Sequence, residues 1–337
     1  MNTNPNNPIP DLTQAVQRVD ARAHVGVICF LQTTAAFCLG DGGVLLVRDG
    51  ADHRVEVHPD GSILCATSDG ERLVTGGDDG RVAVTGADGS TRDFADSGGT
   101  WIDALALHHE GGIAWSAGRK VTARDRKGKE KRFTAPSSAR GLAFAPKGYR
   151  LAIAHYNGVS LWYPNLEKEP DPLEWKGSHL DVTWSPDGRF VVTSMQENAL
   201  HGWRLAPDRG HMRMSGYAAK PRALSWSADG DMLATSGADA VIAWPFDSKE
   251  GPTGKAPREF GVREARVTRV ACHPHLPICA AGYEDGCVLL IRVSDGSELL
   301  VRPVVKGSRV TALAWDGAGK LMAFGCDDGA AGILPLP

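Results

Sequence analysis

Eight stretches of this chain repeat one plan, and a repeat of this kind leaves few folds open. In each, a strand-like run closes on an aromatic residue or its substitute. A Gly/Asp/Pro turn follows, then a second run of the Leu-Ala-Thr-Ser-Gly kind, a short Asp-Gly turn and a third run. The clearest copies are Leu180–Leu205, Arg222–Phe246, Val267–Val293 and Val310–Leu334, with weaker ones beginning near Val25, Ser62, Ile102 and Ala139. The residues closing the first run are Phe30, Thr67, Leu107, Phe144, Trp184, Trp226, Cys272 and Trp315, spaced 37 to 46 residues apart. Modules of this length cannot bury an apolar face alone and must pack against their neighbours. Apolar positions recur at every second residue rather than at 3.6, so the runs are strands. Glycine, at 40 of 337 residues, is well above the usual ~7% and supplies the turns. The expected fold is all-β, a single closed β-propeller.

The segments WSPDGRFVVTS (184–194) and WSADGDMLATSG (226–237) resemble the first turn and second strand of the WD-repeat family. Trp162, Trp203 and Trp244 match the tryptophan that ends that family's third strand, and Asn157, Asn198 and Asp239 match its tight-turn aspartate. Elsewhere the pattern decays. Leu46, Val84, Ala123, Leu290 and Ile333 stand near the tryptophan position, and only His179 is a candidate for the histidine before the first strand. The hydrogen-bond relay that the resemblance implies is therefore expected to be broken in most modules, leaving apolar packing to hold them together.

Strand counting bears on closure. Seven linkers, such as Arg54–His58 and Lys131–Thr134, can supply fourth strands to seven of the eight units. The last unit ends at the chain terminus, so its fourth strand is expected from Gln14–Arg22, which would join head to tail and remove an open edge. Eight four-stranded blades are expected, with seven as the alternative and the Ser62 copy the first to be given up. Residues 1–12, rich in Asn and Pro, are expected to be a disordered tail, and residues 13–337 the propeller. Tyr163–Trp175 and Asp247–Gly261 lengthen two connections, the second expected to be mobile.

Composition narrows the function. With 37 Lys and Arg against 40 Asp and Glu, the surface as a whole is no nucleic-acid binder, although a local basic patch is compatible with the balance. No apolar run nears the ~18 residues of a membrane helix. The N-terminus lacks the basic and apolar regions of a signal peptide. Seven scattered cysteines give no disulfide framework. A monomeric, cytoplasmic protein is expected.

Catalytic chemistry finds little support. Serines and aspartates are abundant because turns need them, and acidic pairs such as Asp78–Asp79, Glu284–Asp285 and Asp327–Asp328 fall in second turns, so no enzyme and no cofactor are expected. Quinone-dependent propeller enzymes are the rival class, but those resemble exported proteins with docking repeats of another pattern. Cys272, His273 and His275 are the one metal candidate, since thiolate and imidazole are ligands that zinc prefers. Against it, His-Pro resembles an ordinary first-turn element of WD repeats, and a core position seldom shares ligands with a solvent turn.

One layer does exceed expectation. Aligned on the landmark residues, Trp101, Lys220, Arg266 and Arg309 fall where each first strand begins, and Arg140 and Arg222 fall two residues later, with Arg269 one further on. First strands line the channel of a propeller, so these residues are expected around one mouth. Such cations focus a positive potential, with Trp101 as an apolar anchor. The WD-repeat resemblance implies that this rim docks peptides. The expected function is a non-catalytic scaffold that binds a partner protein or acidic peptide there, with metal handling through the Cys/His turns as the alternative. Pairing of the rim cations with the second-turn acids Asp79, Asp239, Asp285 and Asp328 is the competing outcome.

Overall fold

Short apolar runs with β-branched residues, each closed by a Gly or Asp turn, pair with their sequence neighbours, and the hydrogen-bonding follows the repeat throughout. The computed structural model describes residues 9–336. Its only helical turn among the described residues is a 3-10 turn at Thr13–Ala15; the rest of its regular structure is antiparallel strand.

The strands form seven hydrogen-bonded sheets. The first three each take four consecutive strands, beginning at Val25–Leu31, Ile63–Ser68 and Ile102–Leu107. The Ser62 copy, the one most open to doubt by sequence, is thus a complete four-stranded sheet. The fourth sheet has six strands, from Gly141–Phe144 to His211–Met214. Three four-stranded sheets follow, beginning at Leu224–Trp226, Val267–Cys272 and Val310–Trp315.

Counted as sheets, the ring therefore has the alternative number, seven, and not eight separate four-stranded blades. The difference lies at one strand, Asp171–Trp184. Asp171–Ser178 pairs with the segment before it, and His179–Trp184 pairs with Phe190–Met195 after it. Elsewhere a turn interrupts the chain between an outer strand and the next inner one. Here Gly177, at φ +131°, lets the chain run on extended, and an added Cβ would lie 2.6 Å from Met195 Cε. The fourth and fifth repeats thus share one folded-over sheet, with Ala152, Leu161 and Leu173 packed against Val182, Val191 and Trp203. Much of the insertion expected at Tyr163–Trp175 is strand from Asp171 onward. Asp247–Gly261 likewise contains the strand Arg258–Phe260 and buries Gly251 against Phe190 and Phe246.

Head and tail meet as strand counting requires. Gln17–Asp20 pairs antiparallel with Ala330–Pro335, completing the sheet that begins at Val310. Ahead of it, Leu12 N–H donates to Leu300 O and Leu300 N–H donates to Pro10 O, both at 2.8 Å. Residues 10–12, expected in the disordered tail, are thus bonded into the ring ahead of the boundary at residue 13. The rest of that expectation falls largely on residues 1–8, outside the described residues.

The apolar cores lie between successive repeats. One joins Phe30 and Phe37 of the first sheet to Ala323 and Ile333 of the last, and another joins Leu46 to Leu73 and Ala83. Glycines in second strands let the next inner strand approach. A Cβ on Gly282 would lie 2.3 Å from Val310 Cγ1, and one on Gly325 would lie 2.4 Å from Val25 Cγ1. That is the physical content of the Gly closing the second run.

The landmark aromatics tie repeats together: Trp184 and Trp315 donate their indole N–H to Ala143 O and Ala271 O, each at 2.9 Å. Relay histidines are present beyond His179, which bonds Thr193 at 2.7 Å. His58 bridges Asp79 and Thr75 at 2.9 Å each. Tyr217 fills the same role between Thr235 and Trp244, at 2.7 and 2.6 Å.

Candidate functional site

Inner strands carry a repeated β-bulge one residue in, as at Val25/Val27, Ile63/Cys65, Val267/Arg269 and Val310/Ala312. A bulge sets two residues against one and re-aims the side chains at that point. It lies where the first strands begin, the layer in which the aligned cations fall.

At this level a cavity of about 530 Å³ is lined by Lys220, Arg222, Arg266, Arg269 and Arg309, with Glu284 on its wall. Backbone contacts to the adjoining second turns hold three of these residues. Arg222 N–H donates to Ser236 Oγ at 3.1 Å, Glu284 N–H donates to Arg266 O at 2.9 Å, and Arg309 N–H donates to Asp327 Oδ1 at 2.9 Å. Side chains project from a backbone that is itself fixed.

Neutralisation is partial. Arg266 pairs with Glu284 at 3.1 Å and Arg309 with Asp327 at 3.5 Å. Among the described residues Lys220, Arg222 and Arg269 have no ion-pair partner within 4 Å. None of the acids expected to quench the rim, Asp79, Asp239, Asp285 and Asp328, pairs with a rim cation. Asp79 accepts from His58 and from Arg81 N–H, while Asp285 and Asp328 accept from the backbone of Cys287 and Ala330. Burial, together with Arg222 and Arg309, pushes the Arg269 guanidinium down to about 10, so it remains charged at neutral pH with its attraction for an anion unspent.

Four of the six expected rim residues thus share one cavity, and two do not. Arg140 bonds Asp103 at 2.8 Å, and Trp101 stands 60% exposed; neither lines the cavity. Arg269, noted in the sequence only as an addition, sits among the other cations because the bulge between Val267 and Arg269 shifts the strand's register.

The metal candidate does not assemble. His273 accepts from the N–H groups of His275 and Leu276 on Nδ1, at 2.9 Å each, and its Nε2 meets Gly319 O. His275 Nε2 meets Gly317 O at 2.9 Å. Cys272 lies opposite Cys279 in the adjoining strand. No group of three potential ligands comes together among the described residues.

Comparisons with known proteins agree with this architecture. The model of the anaphase-promoting complex subunit 4 WD40 domain matches residues 270–336, and that of the WD domain, G-beta repeat, matches residues 52–86, which hold the Ser62 copy. Protein HIR1 of Cryptococcus neoformans is 27% identical over 217 residues, covering 54% of this chain and 24% of that protein. The apoptotic protease-activating factor 1 of Danio rerio is 30% identical over 152 residues, covering 42% of this chain and 11% of that protein. The chain thus spans about a quarter, or less, of the length of these relatives. The computationally designed Ika8 protein superposes with a TM-score of 0.75 at 17% identity, covering 94% of this chain and 98% of the design, a likeness of fold alone. No helix among the described residues is long and apolar enough to cross a membrane. Repeat period, ring closure and family matches converge on a β-propeller whose repeats are similar to those of the WD-repeat family.

Proposed function

We propose that this propeller is a non-catalytic scaffold that docks an acidic segment of a partner protein in the cationic cavity. The observation that carries the reading is the convergence of Lys220, Arg222, Arg266, Arg269 and Arg309 on one concave site in which three cations lack a carboxylate. Clustered cations left short of counter-charge favour an anionic partner. Because their backbones are pinned by neighbouring turns, binding orders little of the scaffold, which limits its entropic cost. All seven cysteines are unpaired, which suits the reducing cytoplasm where we place the protein, acting as a monomer.

Fluorescence anisotropy with a labelled glutamate-rich peptide tests the site. Arg222→Glu together with Arg309→Glu should weaken binding at least about tenfold, as expected for removing charge-assisted contacts, with the melting temperature of the fold retained. Equal binding by the double variant, or equal binding of a lysine-rich peptide to the wild type, removes the cavity from the account.

A further inference from the structure

Resting on that docking reading, we infer that Arg222, Arg269 and Arg309 form a subsite for a phosphoryl group, so that the docked segment carries a phosphorylated side chain. The uncharged polar side chains on the cavity wall are Asn198, Ser236, Thr268 and Thr311. Thr268 Oγ1 donates to Val310 O at 2.7 Å, and Thr311 Oγ1 donates to Val25 O at 2.6 Å. Ser236 Oγ accepts from Arg222 and Ala223 N–H at 3.1 Å, and Asn198 Nδ2 donates to Ala218 O at 3.4 Å. These groups are spent on the fold. Most of the donors left for a ligand are guanidinium and ammonium N–H, and Glu284, the acid on the wall, is held by Arg266. A site dominated by cationic donors selects an acceptor-rich anion.

Charge and geometry then separate a phosphate ester from a carboxylate. Arg222, Arg269 and Arg309 come from three successive repeats, so they approach from three directions. A carboxylate offers two coplanar oxygens and a single charge. A phosphate monoester offers three splayed terminal oxygens and a charge of about −1.5 to −2 at neutral pH, so one group can engage all three arginines. Arg269 is the deepest element of this subsite: it sits inside its strand rather than at the entrance, and its one hydrogen bond is from Nη1 to Thr268 O at 3.0 Å.

The test compares three fluorescent peptides of one acidic sequence bearing phosphoserine, aspartate or serine at a single position, with inorganic phosphate as a competitor. The phosphoserine peptide should bind the intact protein at least about tenfold tighter than the aspartate peptide. Arg269→Met should erase that preference, bringing the affinities for the phosphoserine and aspartate peptides to within about threefold of each other. Because that variant removes a half-buried cation and no ion pair, its melting temperature should not fall, which shows that it folds. Equal binding of the phosphoserine and aspartate peptides overturns the phosphoryl subsite yet leaves acidic docking intact. Failure of all three peptides overturns the docking reading itself. Millimolar phosphate that binds and melts identically in wild type and Arg269→Met places the anion elsewhere and also overturns the subsite.

Discussion

His201 is a costly side chain to bury. It is fully buried, and neither ring nitrogen has a hydrogen-bond partner. Its ring stacks on Trp175 at 4.0 Å between centroids, with His211 at 5.4 Å as a second stacked neighbour. Burial, with His179 and His211 nearby, drives its pKa down to about 3. The folded state therefore holds this imidazole neutral, whereas the unfolded chain protonates it near 6.5. Its stability contribution is complete above that pH and is lost as pH falls from about 6.5 toward 3, at roughly 1.4 kcal/mol per unit. His108, His155 and His179, also depressed by burial, act with the same sign. The melting temperature should decline steadily below pH 6.5. His201→Phe, which keeps a stacked ring but cannot bind a proton, should flatten that decline; parallel profiles for the two proteins would clear His201 of responsibility. At this scale the sequence was a mixed guide. His58 escaped notice as a relay residue because Pro59-Asp60-Gly61 beside it imitates a first turn. Tyr217 escaped because no pattern built on histidine looks for a phenol.

At the scale of elements, the N-terminal strand is the most exposed to a direct test. Its few pairs, Gln17 to Ile333 through Asp20 to Ala330, are backed by Val16 and Leu12 packed on Leu334 and Met322 and by Val19 packed beside Phe30 and Ile333. Deleting residues 1–22 should leave an open edge and apolar surface at the seam, and should lower the melting temperature by about 5 °C or more, since 1 kcal/mol moves a large domain by about 2–4 °C. Thermal denaturation followed by circular dichroism checks this, and an unchanged midpoint would mean that the seam contributes nothing. This closure was legible because it is a matter of counting strands. The union of the fourth and fifth repeats was not. It turns on whether Lys176-Gly177-Ser178 bends or runs straight, and a lone glycine permits either. The bulges were equally hidden, because an extra residue in a strand leaves no mark on a period-two pattern beyond a one-step slip. That slip is what sets Arg269 among its neighbours, and it explains why the aligned layer foresaw the rim more surely than its deepest member.

For the whole molecule the question is which charge a partner feels. The chain is net negative, −3 at neutral pH, so from far away it repels an acidic peptide. Near one mouth it presents five cations, of which Arg266 and Arg309 alone have paired acids within reach. Sequence alignment placed these residues in one layer but said nothing of their positions around the ring. Lys220, Arg222, Arg266 and Arg309 belong to successive repeats and therefore converge. Arg140 and Trp101 come from earlier repeats and stand apart, Arg140 with Asp103 as its own counter-ion. The two scales predict opposite responses to salt. If the net charge governs encounter, screening relieves repulsion and association with an acidic peptide accelerates. If the mouth governs it, screening removes attraction and association slows, because the Debye length shrinks from about 14 Å at 0.05 M to about 4 Å at 0.5 M. Stopped-flow measurement across that range should show the association rate falling by about tenfold or more while the dissociation rate changes less, as expected for steering by local charge. A rate that rises with salt would mean that the peptide meets the molecule's mean charge and not its mouth.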